Sequence, residues 1–203
     1  MKQPNELHFD QDIILENKRV KLEPLQLNHY DVLLPISNRY PDLLKLSPPK
    51  FGTPELLKQY IESNLAERKN HTKYPFAIFD KEVEEYAGST AFLNISPENK
   101  RLEIGSTWIG KHFQRTGLNR NCKFLLMQYV FEVLEYERIE LKTDKRNLQS
   151  QKGMEGIGAK FEGTLRSHTV MSDGYRRNTV YYSILKNEWE GIKETIFSEI
   201  SRQ

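Results

Sequence analysis

The residues Gln114-Arg115-Thr116-Gly117-Leu118-Asn119 join an alternating apolar segment to the longest amphipathic run in the chain. A strand that feeds a long helix through a glycine-bearing loop can hold an anion. The first helical turn carries unpaired N–H groups and the positive end of the macrodipole, and glycine lets a ligand approach the backbone. Arg115, Arg120 and Lys123 add positive charge to this stretch. An ordinary strand-loop-helix connection has the same local pattern, so the loop alone leaves both readings open. Elsewhere, reactive side chains are sparse. Cys122 falls on an apolar helix stripe and reads as core rather than nucleophile. His112 and His168 are isolated, and no His/Cys/Asp/Glu spacing suggests a metal site. There is no nucleophile elbow and no Gly-x-Gly-x-x-Gly or Gly-x-x-x-x-Gly-Lys-Ser/Thr nucleotide motif.

The elements that must position this loop follow from periodicity. Ile13-Ile14-Leu15, a polar turn at Glu16-Asn17-Lys18-Arg19, and Val20-Lys21-Leu22-Glu23 predict a β-hairpin ended by Pro24. A short helix over residues 27–34 is expected to be limited by Pro35. Pro41, Pro48 and Pro49 predict irregular chain between Ser37 and Gly52. Thr53-Pro54 then opens a helix, a hydroxyl cap followed by proline at the first position, with Leu56, Leu57, Tyr60, Ile61 and Leu65 on one face as far as Asn70.

Strands are predicted at residues 74–79, 86–95 and 102–109. The adjacent apolar pair Trp108 and Ile109 breaks the period of two and predicts a bulge over residues 105–108. In the long helix, Leu118, Cys122, Leu125, Leu126, Tyr129, Val130, Val133 and Leu134 make one stripe, with Asn119, Arg120, Lys123, Gln128 and Glu132 elsewhere. A strand at 138–143, a short helix at 147–157 stopped by Gly158, strands at 160–167 and 179–185, and a last helix at 187–200 complete the order. Tyr74, Phe76, Phe79, Tyr86 and Phe92 read as core by position, with one or two available to line an acceptor slot. No linker or repeat interrupts the chain, so one domain over residues 1–203 is expected.

Bulk composition narrows the function classes. With 37% hydrophobic and 11% aromatic residues, the 203-residue chain has material for one real core. Net charge is +2 with the signs interleaved, which is unlike the one-signed stripe of a nucleic-acid binder. One cysteine excludes an internal disulfide framework. The stretch Met1 to Asp10 has no apolar signal core, and no apolar run approaches the ~20 residues that span a bilayer. A cytoplasmic protein without nucleic-acid or membrane partners is expected.

The loop resembles the pyrophosphate loop of the GNAT N-acetyltransferases, Gln/Arg-x-x-Gly-x-Gly/Ala. Leu102-Glu103-Ile104-Gly105-Ser106-Thr107-Trp108-Ile109 before it is similar to that family's bulged fourth strand. Asn147-Leu148-Gln149-Ser150, then Glu155-Gly156-Ile157-Gly158-Ala159-Lys160-Phe161-Glu162-Gly163, resemble the Asn-x-x-Ser helix and following strand of the branch containing the ribosomal-protein N-terminal acetyltransferases. The motifs occur in the family's order, and the likeness extends more loosely to Val20-Lys21-Leu22-Glu23-Pro24-Leu25. Two positions depart from the pattern: Asn119 stands where glycine or alanine is general, and Arg115 where glycine is common. Asn119 could serve as a cap.

The resemblance implies an α/β (α+β) GNAT fold, a mixed, mostly antiparallel, splayed sheet of about seven strands flanked by helices. It implies acetyl-CoA as cosubstrate, no metal, and direct transfer to a primary amine, either a protein α-amino group or a small molecule. A homodimer is compatible with it. Gln114 and the backbone N–H groups of Arg115, Thr116, Gly117, Leu118 and Asn119 would cradle the pyrophosphate. Main-chain groups around Trp108 and Ile109 would pair with the pantetheine arm, which Asn147 would also contact. Ser150 would protonate the departing thiolate, and Glu103 would take the amine's proton through water. For Asn147 and Ser150, helix capping is the other reading; for Glu103 it is an ordinary surface or cross-strand charge. The early loop and the helix opened by Thr53-Pro54 would form a wall of the acceptor site, with the segment from Ser167 to Arg177 near it. A catalytically idle acyl-CoA-binding or sensor module on the same fold is the alternative function.

Overall fold

A computed structural model describes residues 6–202; Met1 to Asn5, within the amino-terminal stretch read above, and Gln203 lie outside it. The hairpin forms as β1 (Leu15–Glu16) and β2 (Val20–Pro24), followed by α1 (His29–Arg39), α2 (Pro54–Lys69), β3 (Lys73–Asp80), β4 (Glu85–Ser96) and β5 (Arg101–Ile109). Then come α3 (Leu118–Gln128), β6 (Arg138–Asp144), α4 (Leu148–Glu155), β7 (Lys160–Val170), β8 (Arg176–Leu185), α5 (Lys186–Thr195) and α6 (Ser198–Ser201). The strands make one sheet in the order β1-β2-β3-β4-β5-β6-β8-β7. Every pair is antiparallel except β5 with β6. The two-residue β1 brings the count to eight. Among the described residues, no helix is long and apolar enough to cross a membrane.

Local chemistry accounts for most element boundaries. Thr53 accepts the Leu56 N–H and caps α2, and Asn147 accepts the Ser150 N–H and caps α4. Helices α1 and α2 pack against the sheet with Leu33, Ile36, Leu57 and Ile61, which meet Tyr74, Phe76 and Phe92 in one continuous core. At the start of α1, Glu23 accepts from the Tyr86 hydroxyl and from His29 Nε2 at 3.1 Å, and pairs with Lys21. The Gln26 N–H donates to His29 Nδ1, so the imidazole proton sits on Nε2.

Three expectations are corrected. Helix α1 runs through Pro35 to Arg39. One backbone bond, to the Asp31 carbonyl, is forfeited there, while Leu33 and Ile36 on either side are buried. The last helix is two pieces, because the chain breaks at Ile196 and Phe197, where Phe197 is fully buried. Lys123 does not lie off the apolar stripe. It is 7% exposed, beneath the sheet, with its Nζ donating to Thr107 Oγ1 at 3.0 Å. Helix α3 continues into a wider turn over Tyr129–Val133, closed by Leu134 N–H to Tyr129 O. That turn changes the phase of the stripe and leaves Val133 exposed.

Candidate functional site

Strands β5 and β6 pair only through Arg101, Leu102 and Glu103 against Arg138, Ile139 and Glu140. Beyond that point β5 stays with β4 as far as Ile109, while β6 follows β8 to Asp144. The sheet therefore opens into a cleft that begins at Glu103. The expected bulge forms in the wall of this cleft. Ser89 pairs with Trp108 and Ala91 with Gly105, so Ser106 and Thr107 together oppose one residue, and Ser106 takes a φ of 49°. Thr107 Oγ1 is held by Lys123 and lies 2.8 Å from Thr90 Oγ1.

At one end of the cleft lies the loop before α3. Arg115 and Gly117 both have positive φ, 64° and 89°, with Thr116 between them. Arg115 thus adopts the left-handed backbone for which glycine is common, and the low glycine content does not prevent the turn. Thr116 Oγ1 donates to Phe113 O at 2.7 Å, and Gly117 occupies the N-cap position of α3 without a side-chain cap. Asn119 therefore sits inside the first turn rather than capping it. Among the described residues, the Asn119 and Arg120 N–H groups have no backbone acceptor, as a helix start requires. A Cβ built on Gly117 would meet nothing within 4 Å, so the loop faces open space.

That space is a cavity of about 500 Å³ lined by Lys18, Arg19 and Arg120 with Thr116, Gly117 and Asn121, and also by Glu82 and Glu199; Arg19 is paired with Asp80 and Glu82. Arg120 also donates to the Ile196 carbonyl at the helix break. Lys123, expected to contribute charge here, does not reach it. Lys18 and Arg19 come from the β1–β2 turn, tied to α3 by Asn17 Nδ2 donating to Asn121 Oδ1. Nothing in their local sequence marks them for this role.

Across the mouth of the cleft, Gln149 Nε2 donates to Gln114 Oε1 at 3.2 Å, and Gln114 Nε2 donates to Ile109 O at 2.9 Å. The Ile109 carbonyl is thereby engaged, and the Trp108 carbonyl lies against Gly88 of β4. The indole of Trp108 packs on Phe51 and Tyr60, facing α2. Asn147 spends its side-chain oxygen on the α4 cap, while the half-buried Ser150 hydroxyl has no partner among the described residues.

On the other side of the bulge is a second cavity, about 790 Å³, walled by α2, the loop at residues 47–50, and parts of β5, β6 and β8. Glu103 lines it although only 3% exposed. Its Oε2 accepts from Asn94 Nδ2 at 2.6 Å and pairs with Lys142 Nζ at 2.7 Å. Oε1 has no hydrogen-bond partner among the described residues. It lies 2.8 Å from where a Gly105 Cβ would be, so glycine there leaves room for the carboxylate. Nearby, Tyr60 Oη, Asn64 Oδ1, Ser89 Oγ and Trp108 Nε1 are buried without partners among the described residues. Burial pushes the Tyr60 hydroxyl above its usual pKa. It also pushes the Cys122 thiol up to about 12, which removes that residue as a nucleophile at neutral pH. Among the described residues, no group of three or more His, Cys, Asp or Glu could hold a metal ion.

The split sheet thus sets an open helix-start loop on one side and a carboxylate-bearing cavity on the other, two separate spaces on one fold. The Acetyltransferase (GNAT) domain family matches residues 19–160, and the chain belongs to that family. It is 36% identical over 106 residues to the provisionally named ribosomal N-acetyltransferase YdaF of Bacillus subtilis (strain 168), a match covering 52% of this chain and 57% of that protein. It is 32% identical over 116 residues to the uncharacterized N-acetyltransferase p20 of Bacillus licheniformis, covering 57% and 64%. The chain thus spans less than two thirds of either curated relative. A crystal structure of a GCN5-related N-acetyltransferase from Brucella melitensis superposes with a TM-score of 0.82 at 31% identity, covering 94% of this chain and 86% of that one.

Proposed function

We propose that this protein transfers an acetyl group from acetyl-CoA to a primary amine, a protein α-amino group or a small-molecule amine, by direct attack. The cleft that opens at Glu103 carries this reading, because it joins an anion-binding loop to a cavity containing a carboxylate with an unengaged oxygen. The loop fits the pyrophosphate on three counts: two left-handed residues, the unengaged Asn119 and Arg120 amides of the first turn, and open space at Gly117. Gln114, Arg115, Thr116, Gly117, Leu118 and Asn119 would hold it, and the free edge of β5 with Asn147 would hold the pantetheine arm. Bound there, acetyl-CoA supplies an acyl group already activated as a thioester.

The protein's own groups have three tasks. Glu103 Oε1 takes the proton of the acceptor ammonium, directly or through water, and Lys142 and Asn94 on Oε2 fix its orientation. A bulge N–H stabilises the charge that develops on the carbonyl oxygen. The Ser150 hydroxyl, free of other bonds, gives its proton to the departing thiolate. Ser150 stands in the first turn of α4, across the cleft mouth from Gln114. The buried thiol of Cys122 supports a single displacement rather than an acyl-enzyme. The names of YdaF and the Brucella protein support N-acetylation, and a cytoplasmic setting fits the single cysteine.

Thiol release from acetyl-CoA, measured with a panel of peptide N-termini, polyamines and aminoglycoside-like amines, tests the proposal. Amine-dependent thiol release is expected. Tight acetyl-CoA binding with no amine-dependent release would make the protein an idle binding module.

A further inference from the structure

We infer that the acceptor carries a carboxylate beside its amine, and that Arg177 is the residue that receives it. This rests on the acceptor cavity being the one that contains Glu103. The charged groups lining that cavity are Lys50, Lys73, Lys142 and Arg177 against Glu67 and Glu103. Two of the cations are matched within it, Lys142 to Glu103 at 2.7 Å and Lys73 to Glu67 at 3.3 Å. Lys50 is on an exposed loop in contact with solvent. Arg177 is different. It is 6% exposed, in β8, and its Nε donates to Thr179 Oγ1 at 3.0 Å. Among the described residues its terminal guanidinium nitrogens make no hydrogen bond and no ion pair within 4.0 Å, the Nε bond to Thr179 being its one side-chain bond.

The neighbouring carboxylates are committed elsewhere. Asp144 is held by the Arg146 guanidinium at 2.7 Å and 3.1 Å, and Glu103 by Lys142. Asp144 and Glu103 still act on Arg177 at longer range, offsetting part of the burial that pulls its pKa down. The terminal nitrogens open on the cavity, so the fork is free to receive a ligand's anionic group. The planar pair of N–H donors matches a carboxylate in two parallel bonds.

The charge balance leads to the same conclusion. An amine acceptor arrives as an ammonium, and the cavity's unmatched charge is positive, so a plain amine is disfavoured there. An acceptor with an anionic group neutralises Arg177 and leaves its amine for Glu103. Such an acceptor is a free α-amino acid or a peptide with an acidic residue next to its N-terminus. The recognition chemistry is shared by both.

The test uses matched pairs in the thiol-release assay. Free alanine against alaninamide probes the small-molecule source, and the amidated peptides Ser-Asp-Ala and Ser-Asn-Ala probe the peptide source. In at least one pair, wild type should favour the carboxylate member in kcat/KM by roughly tenfold or more, mainly through KM. In Arg177→Gln the ratio should collapse toward one, and Arg177→Lys should keep only part of it because the fork is lost. Unchanged acetyl-CoA affinity in Arg177→Gln certifies its fold; should that variant not fold, the wild-type ratios decide alone. Ratios near one in both pairs, or a preference that survives Arg177→Gln, overturn the inference while leaving the transferase reading intact. No thiol release from any amine, with acetyl-CoA bound, removes the transferase reading itself and this inference with it.

Discussion

Lys123 offers a quantitative check on the packing behind the bulge. Its ammonium is buried under the sheet, and desolvation lowers its pKa from 10.5 to about 8, with Cys122 and Glu103 opposing that. Below about pH 8 the residue is charged in both folded and unfolded chains, so the folded state bears the whole penalty. At about 1.4 kcal/mol per pH unit the drop from 10.5 corresponds to about 3 kcal/mol. Between about 8 and 10.5 the unfolded chain holds the proton and the folded chain does not, so stability gains with rising pH and the penalty disappears. Lys123→Met keeps the volume and removes the charge. It forfeits the bond to Thr107, worth about 1 kcal/mol, while Thr107 keeps its contact with Thr90. Urea unfolding at pH 7 should therefore find the variant more stable by ~2 kcal/mol. Measured from pH 7 to 10.5, the difference between the two proteins should shrink and then reverse. A variant that is less stable at pH 7, or a difference that does not vary with pH, would refute the burial of a charged Lys123.

Gly117→Asp should weaken acetyl-CoA affinity about tenfold more than Gly117→Asn, because both meet the same φ of 89° but only aspartate repels a pyrophosphate. Calorimetry at two salt concentrations checks this, and equal affinities would remove the loop from the ligand site. Asn147→Ala should cost about 1 kcal/mol of stability through the lost cap, whereas Ser150→Ala should leave stability nearly unchanged and lower turnover. Thermal melts beside kcat separate the two, and full activity in Ser150→Ala would leave that residue no chemical role. Burial alone would raise the pKa of Glu23, but hydrogen bonds from Lys21, Tyr86 and His29 hold it at about 2. The stability it contributes is complete above 4.5 and is lost as pH falls toward 2. Glu23→Gln should lose ~2 kcal/mol at pH 7 and flatten the acid limb of the unfolding profile; an unchanged acid limb would contradict the cluster.

Much of the frame is legible because it is set within a few residues. Thr53-Pro54 starts α2 where a hydroxyl and a proline satisfy the first turn, and Asn147 caps α4 for the same reason. The bulge at Ser106 and Thr107 follows from the broken alternation at Trp108 and Ile109. The loop glycine, Gly117, and the ordered Asn-x-x-Ser and strand motifs marked the family, which the match over residues 19–160 bears out. Local pattern misplaced residues whose position depends on distant packing. Pro35 looked like a stop, yet buried Leu33 and Ile36 hold the helix through it. Lys123 looked solvated because a lysine off the apolar stripe usually is, and only the sheet above it shows otherwise.

By itself the sequence determined the order of elements, the turn chemistry of the loop before α3, and the residue types available to the proposed proton transfers. Each is a matter of neighbours three or four positions apart, where hydrogen bonding and side-chain period act directly. Tertiary structure decided which charges line the two cavities. It brought Arg19 to Thr116 across 97 residues, and set Lys142 and Asn94 on one oxygen of Glu103 while leaving the other open. It also put β8 beside β6, so that Arg177 enters the cavity with its fork unmatched. Charge is long-ranged and its worth depends on burial, and both burial and pairing are properties of the folded sheet rather than of any segment within it.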